Sequence, residues 1–229
     1  MSQRIGIIET GKSPASLEPS YGTYPEMGAA LLSRYLPPFQ WSPISVVEGE
    51  QLPAPHTYGG YLIMGSEFSA NDAFPWVAAL IDFVRDLATA QIPLVGICFG
   101  HQLIARAMGG VVTTTDWIVG CRQYQVIDAT TRVSTISYHQ DQVTSLPPAA
   151  TRCMTSDSCP NAALSYADWA CWTIQSHPEF SRDYMRALVE HTRGRPLSDH
   201  QADDALASLT NCREDVSVIP QALQRVFAY

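Results

Sequence analysis

The sequence predicts an α/β protein built on an open, mostly parallel twisted sheet with helices on both faces, plus an added β-hairpin region and a C-terminal helical extension. Three features predict it. Short apolar runs at residues 4–9, 60–64 and 93–97 read as buried strands, segments with helical spacing alternate with them, and the texture from 111 to 174 shifts to shorter β-like runs broken by turns.

Residues 4–9 give the first strand, and Gly11, Lys12, Ser13 and Pro14 break it into a polar loop. Residues 24–35 follow as a helix, because Pro25 suits a first turn, whose N–H groups have no intrahelical partner, and Met27, Leu31 and Leu32 recur at helical spacing. Residues 39–47 read as a second strand. The apolar run 60–64 is the third, and it stops at Gly65-Ser66, where a loop over a strand's carboxyl end begins. Val77, Leu80, Ile81, Val84 and Leu87 give residues 76–90 the period of an amphipathic helix. Residues 93–97 read as a central buried strand, and 102–108 as a helix ended by Gly109-Gly110. After the hairpin region come a strand over 170–174 and a helix over 182–192. Gly194-Arg195-Pro196 marks a joint, and Ser198-Asp199 caps a final helical stretch. The expected division is a catalytic domain over 1–193 and a helical extension over 194–229 packed on it.

Composition narrows the partners. The chain is 46% hydrophobic with 5 Trp, 10 Tyr and 7 Phe, enough to fill one good-sized core. A formal charge of -8 repels phosphate backbones and anionic headgroups, so no nucleic-acid partner is expected. No run approaches the roughly 18 apolar residues of a membrane span, and the N-terminal run is too short for an export signal. No membrane partner and a cytoplasmic location follow as expectations. The six cysteines form no C-x-x-C unit, and apart from His101 near Cys98 the histidines lie away from them, so neither a disulfide frame nor a metal site is expected.

The chemistry concentrates in Gly96-Ile97-Cys98-Phe99-Gly100-His101-Gln102, a G-x-C-x-G pattern between a predicted strand and a predicted helix. Small residues two before and two after a nucleophile permit the sharp turn that lifts its side chain above a sheet and aims a backbone N–H at the reaction centre. The positive end of the following helix favours negative charge on a sulfur placed there. A lone cysteine is more often a buried structural residue; the flanking glycines favour the nucleophile. Its base can be distant in sequence. Gln175-Ser176-His177-Pro178-Glu179-Phe180 offers one: in extended backbone, residues two apart share a face, so His177 can meet sulfur with one nitrogen and Glu179 with the other. His139, with Asp141 two positions on, is the competing base. His101 is expected to support the turn, and His56, His191 and His200 have no supporting context.

These residues resemble the class I, or triad, glutamine amidotransferases, whose nucleophile motif residues 96–102 match and whose His-Pro-Glu motif residues 175–179 match. The resemblance spans roughly residues 4–193. Within the family the chain is similar to the stand-alone branch of γ-glutamyl peptidases and GMP-synthase-like amidotransferases. Three segments carry that closer likeness: Asp116-Trp117-Ile118-Val119-Gly120, Tyr138-His139-Gln140-Asp141-Gln142-Val143, and Gly65-Ser66-Glu67 where synthase-linked members have Gly-Gly-Pro. The resemblance implies a flavodoxin-like open sheet and no cofactor or metal. It makes Cys98 the nucleophile, His177 the proton shuttle and Glu179 its orienter. The oxyanion falls between the backbone N–H groups of Ser66 and Phe99. Gly65, Gln102, Tyr138, His139, Gln140 and Asp141 are implied to meet substrate.

The expected activity is hydrolysis of the γ-glutamyl amide bond of a small γ-glutamyl amide or peptide through a thioester on Cys98. Trp117, Phe68, Phe74 and Tyr138 are candidates for an apolar leaving-group pocket. The chain has no room for an acceptor domain and no G-x-x-x-x-G-K-[ST] loop, so ammonia transfer would need a separate synthetase partner. A glutaminase subunit serving such a partner is the second reading, and a non-catalytic glutamine-binding regulatory module is the third. A homo-oligomer stays open.

Overall fold

The computed structural model describes residues 3–227 apart from Asp128 and Glu214. Its strands are β1 (Gln3–Glu9), β2 (Phe39–Ser45), β3 (Gly60–Ile63), β4 (Leu94–Ile97), β5 (Val111–Val126), β6 (Arg132–Ser145), β7 (Ala150–Thr155), β8 (Ala163–Tyr166) and β9 (Cys171–Ile174). They form one mixed sheet in the order β2-β1-β3-β4-β9-β8-β7-β5-β6. The first five in that order are parallel, and the remaining four extend the sheet antiparallel. The β-rich segment after residue 111 is therefore an extension of the same sheet.

Helices α1 (Glu18–Tyr21), α2 (Tyr24–Ser33), α3 (Pro75–Thr89), α4 (Phe99–Ala107), α5 (Arg182–Thr192), α6 (Asp199–Thr210) and α7 (Val218–Val226) cover the sheet. Residues of β3 and β4 are buried throughout, as both faces of a central parallel sheet must be. One face packs against α3 and α4 through Ile63, Leu80, Val84 and Leu103. The opposite face packs against α2 and α7 through Leu62, Val95, Leu32 and Leu223. A third cluster joins α5 and α6 to β5 and β6 through Val119, Ile136, Tyr184, Leu188 and Ala205.

Local sequence explains the helix starts. Thr23 accepts from the Glu26 N–H at 3.3 Å while Glu26 accepts from the Thr23 N–H at 2.8 Å, a reciprocal cap that satisfies two otherwise unpaired donors. Ser198 and Gln201 repeat the arrangement at α6.

Four expectations need correction. The second strand stops at Ser45, and Val46–Glu48 turn into a 3-10 helix closed by left-handed Gly49. The helix expected over 102–108 begins at Phe99, because Gly100 lies against the Ile63 carbonyl in its first turn, where it does not break the helix. The final helical stretch is two helices: α6 on β5 and α5, α7 on β9 and β4. No disulfide was expected, yet Cys121 in β5 and Cys212 after α6 are bonded, 91 residues apart, with their Cα atoms 5.9 Å apart. Packing of α6 across β5 brings them together, a contact that cysteine spacing does not encode.

The parallel registers set the place of the site. Ile8 pairs with Ile63, Ile63 with Gly96, and Ile97 with Ile174, so the carboxyl ends of β1, β3, β4 and β9 finish side by side. Open α/β sheets bind ligands at such a row of strand ends.

Candidate active site

Cys98 occupies the turn between β4 and α4 with φ 52°, a left-handed conformation uncommon for a residue with a side chain. Its N–H donates to Ile174 O at 2.8 Å, and its carbonyl accepts from the Gln102 N–H at 3.0 Å, so both ends of the turn are fixed. The glycines two before and two after are demanded by contact. A Cβ on Gly96 would sit 2.7 Å from the Gly100 carbonyl carbon, and one on Gly100 would strike the Ile63 carbonyl.

His177 reaches this turn from the end of β9. Its N–H donates to Ile136 O at 2.7 Å, which anchors it to β6. Its Nδ1 meets Glu179 Oε1 at 2.7 Å, and the Cys98 sulfur, whose thiol faces Tyr138 O at 3.9 Å, lies close enough to act on the imidazole charge. With Nδ1 held by the carboxylate, the other ring nitrogen is the one left free of it. Phe180 stacks on the imidazole with centroids 4.2 Å apart and planes 8° apart. Burial by itself lowers the His177 pKa, but the Glu179 charge and the adjacent Cys98 sulfur outweigh it and raise the value above the usual histidine range.

The competing base lies in a different setting. His139 is buried, and its Nδ1 faces the backbone carbonyl of Asp141 at 3.3 Å; the Asp141 side chain is elsewhere. That carboxylate instead accepts from the hydroxyls of Ser69 and, at 2.7 Å, Thr114. Burial, with His177 nearby, pushes His139 down to about 3, so it is neutral at ordinary pH. Among the described residues its Nε2 has no hydrogen-bond partner. His101 is fully buried, paired through Nδ1 with Thr173 Oγ1 at 2.8 Å, and also pushed down to about 3 by burial. His191 lies at the cavity wall near Ser16, His200 pairs with Asp204 at the surface, and His56 sits in a short 3-10 turn.

The loop after β3 closes the other side. Thr10 donates its hydroxyl to Met64 O at 3.0 Å and Gly65 O at 3.1 Å. Ser66 donates to Thr10 O at 2.6 Å and accepts from the Phe68 N–H at 3.1 Å. Those bonds fix a loop that lacks a proline. Because Gly65 O turns to Thr10, the Ser66 N–H on the same trans peptide points the opposite way. Among the described residues the N–H groups of Ser66 and Phe99 have no hydrogen-bond partner. Gly65 itself lies against the pair: a Cβ there would be 2.9 Å from His177 Cε1 and 3.6 Å from Cys98 Cβ.

A cavity of about 1070 Å³ opens over these groups, lined by Gly65, Ser66, Cys98, Gln102, Tyr138, His139, Gln140, Asp141 and His177. Gln102 Nε2 donates to Asp141 O at 2.8 Å and Gln175 Oε1 at 3.2 Å, tying α4 to β6 beneath it. Phe68, Trp117 and Tyr138 also line the cavity, and Trp117 meets Tyr138 edge-on at 5.3 Å. Trp117 falls in a register shift of β5 between Thr114 and Ile118, a bulge that re-aims its side chain. Phe74 departs from expectation: it is 42% exposed and stacks on Trp76 away from the lining. Sequence reasoning gave no role to Thr10, Tyr24 or Phe180. The position of Phe180 directly after Glu179 was the available signal. Among the described residues no three His, Cys, Asp or Glu side chains gather as a metal site, and no helix is long and apolar enough to cross a membrane.

A mixed α/β sheet with a cysteine on the turn after a central strand, beside a hydrogen-bonded histidine and glutamate from the end of the neighbouring strand, describes an amidotransferase-type α/β protein. The family model for class I glutamine amidotransferases matches residues 51–190, and the chain belongs to that family. It is similar to γ-glutamyl peptidase 3 of Arabidopsis thaliana, 27% identical over 195 residues, which covers 77% of this chain and 78% of the relative. It is also similar to one subunit of the glutamine-hydrolyzing GMP synthase of Methanothermobacter thermautotrophicus, 32% identical over 121 residues, covering 49% of this chain and 59% of the relative. The crystal structure of a glutamine amidotransferase from Methylobacillus flagellatus shares the fold with a TM-score of 0.75 at 23% identity, covering 100% of this chain and 94% of its own. Family and relatives together support amidohydrolase function in the broad sense.

Proposed function

We propose that the protein is a cysteine amidase that hydrolyses the γ-glutamyl amide bond of glutamine-like amides or peptides, releasing glutamate and an amine or ammonia. The His177–Glu179 hydrogen bond beside the Cys98 turn, with the sulfur near enough to raise the His177 pKa, carries this reading. Cys98 Sγ attacks the γ-carbonyl carbon and its proton resides on His177, whose charge Glu179 stabilises. The tetrahedral oxyanion lies between the Ser66 and Phe99 N–H groups, where one well-placed donor is worth about 3–4 kcal/mol in the transition state. The C–N bond then breaks as His177 protonates the departing nitrogen. Water, deprotonated by His177, cleaves the thioester and frees glutamate.

Gln102, Tyr138, Gln140 and Asp141 hold the glutamyl part, Gly65 leaves room for it, and buried His139 shapes the floor. Residues 1–193 form the catalytic domain and 194–229 an extension packed on it, acting in the cytoplasm. The similarity to a GMP synthase component favours one second reading, in which the same half-reaction delivers ammonia to a separate synthetase.

Incubation with glutamine and a panel of γ-glutamyl amides and dipeptides, with glutamate and amine quantified, tests the proposal. Turnover that vanishes in Cys98→Ala is expected. Full turnover in that variant sinks the assignment, and ammonia release that rises sharply only with a synthetase present favours the second reading.

A further inference from the structure

The cavity over Cys98 carries a charge pattern that amide cleavage itself does not require. Lys12, the one lysine in the sequence, lines it. Its ammonium is already held by Glu9 at 2.6 Å and Glu48 at 3.1 Å. Besides Asp141, assigned above to the glutamyl part, Glu18, Glu48, Glu67 and Asp72 supply four carboxylates to the lining, and among the described residues no arginine joins them. Asp72 accepts from the Ser69 N–H at 2.9 Å. Glu18 and Glu67 are exposed, and among the described residues their side chains make no hydrogen bond or ion pair. A carboxylate on the substrate's far end would meet this surplus, and among the described residues the lining has no arginine and a lysine already paired twice.

The aromatic lining is a separate observation that points the same way. Tyr24, Phe68 and Trp117 line the same space, and aromatic rings attract cations. Carboxylates set among aromatic rings favour an ammonium over a carboxylate on the departing amine.

We propose that the leaving group is a cationic amine, so that the substrate is a γ-glutamyl amide of a diamine or polyamine with its distal nitrogen protonated. This rests on the amidase reading above and names its substrate class. In the step, the γ-carbonyl carbon gains the Cys98 sulfur and loses its nitrogen. The departing nitrogen takes the proton held by His177, and the distal ammonium leaves unchanged.

The test compares kcat/KM for three γ-glutamyl amides of equal length, those of diaminobutane, butylamine and γ-aminobutyrate. Diaminobutane should lead and γ-aminobutyrate trail, with about tenfold between them at low salt and a narrowing gap as ionic strength rises. The Glu18→Gln, Glu67→Gln double variant should lower the ratio of diaminobutane to butylamine turnover. Equal rates on the three, preference for the anion, or turnover of glutamine and dipeptides but none of the three would overturn the inference and leave the amidase reading standing. No turnover on any γ-glutamyl compound would overturn both.

Discussion

Replacing Gly65 with alanine tests how tightly the reacting pair is held. Gly65 lies outside the left-handed region, so the new methyl acts through contact alone. It would sit 2.9 Å from His177 Cε1, whereas carbon atoms pack best at about 3.5–4.0 Å. The imidazole must therefore withdraw by roughly 0.5 Å or more, yet Phe180 stacks on its ring at 4.2 Å and Glu179 grips its Nδ1 at 2.7 Å. A misplacement of about 1 Å can cost about a hundredfold in rate, so half of that predicts a kcat about tenfold lower. KM should change less, because the methyl presses on the base. Steady-state release of glutamate from glutamine separates the two constants, and thermal unfolding checks that the variant folds. A folded Gly65→Ala protein with unchanged kcat would refute the reasoning, since His177 would then not need the position it occupies.

The two candidate bases separate by substitution: His177→Ala should lower kcat/KM by about 10²–10⁴-fold and His139→Ala by about tenfold or less, because only His177 has a carboxylate on its Nδ1. The reverse ranking would overturn the choice. Acid should weaken the fold through His101 and His139, both held at about 3 by burial. Below about pH 6.5 the unfolded chain binds protons that the folded protein refuses, so unfolding free energy falls by roughly 2–4 kcal/mol between about pH 7 and pH 5. His177 works in the opposite sense: its raised value gives stability that is fully present below about pH 6.5 and is lost as pH climbs from there through the folded value, so it offsets part of the fall over this interval. Urea unfolding at the two pH values checks this, and a flat profile would contradict it. Cys212→Ser should cost about 2–4 kcal/mol by opening the long loop that the Cys121 bridge closes. Wild-type protein under reductant should match the variant, and equal stability of bridged and unbridged protein would refute the bridge.

What the sequence made legible was local chemistry. The strand over 93–97 and the glycines around Cys98 announced the turn, because close backbone approach leaves no alternative residue at Gly96 or Gly100. His177 and Glu179 were readable because extended backbone puts residues two apart on one face. The same rule failed for His139 and Asp141, where Ser69 and Thr114, from outside that strand, claim the carboxylate. The disulfide, the stack of Phe180 on His177 and the Thr10 clasp on Gly65 arise from packing between elements distant in sequence, which periodicity does not report. Phe74 misled because an aromatic residue in a loop near a site can as well pack on its neighbours, here Trp76 and Phe68.

Everything turns on sulfur becoming acylated. Rapid acid quenching of the enzyme during turnover of a γ-glutamyl amide, followed by peptide mass spectrometry, measures this directly. The peptide containing Cys98 should gain the mass of one glutamyl group, lose it on treatment with hydroxylamine, and never show it in Cys98→Ala. Active enzyme whose Cys98 stays unmodified at every quench time, with the adduct on another residue, would contradict the account.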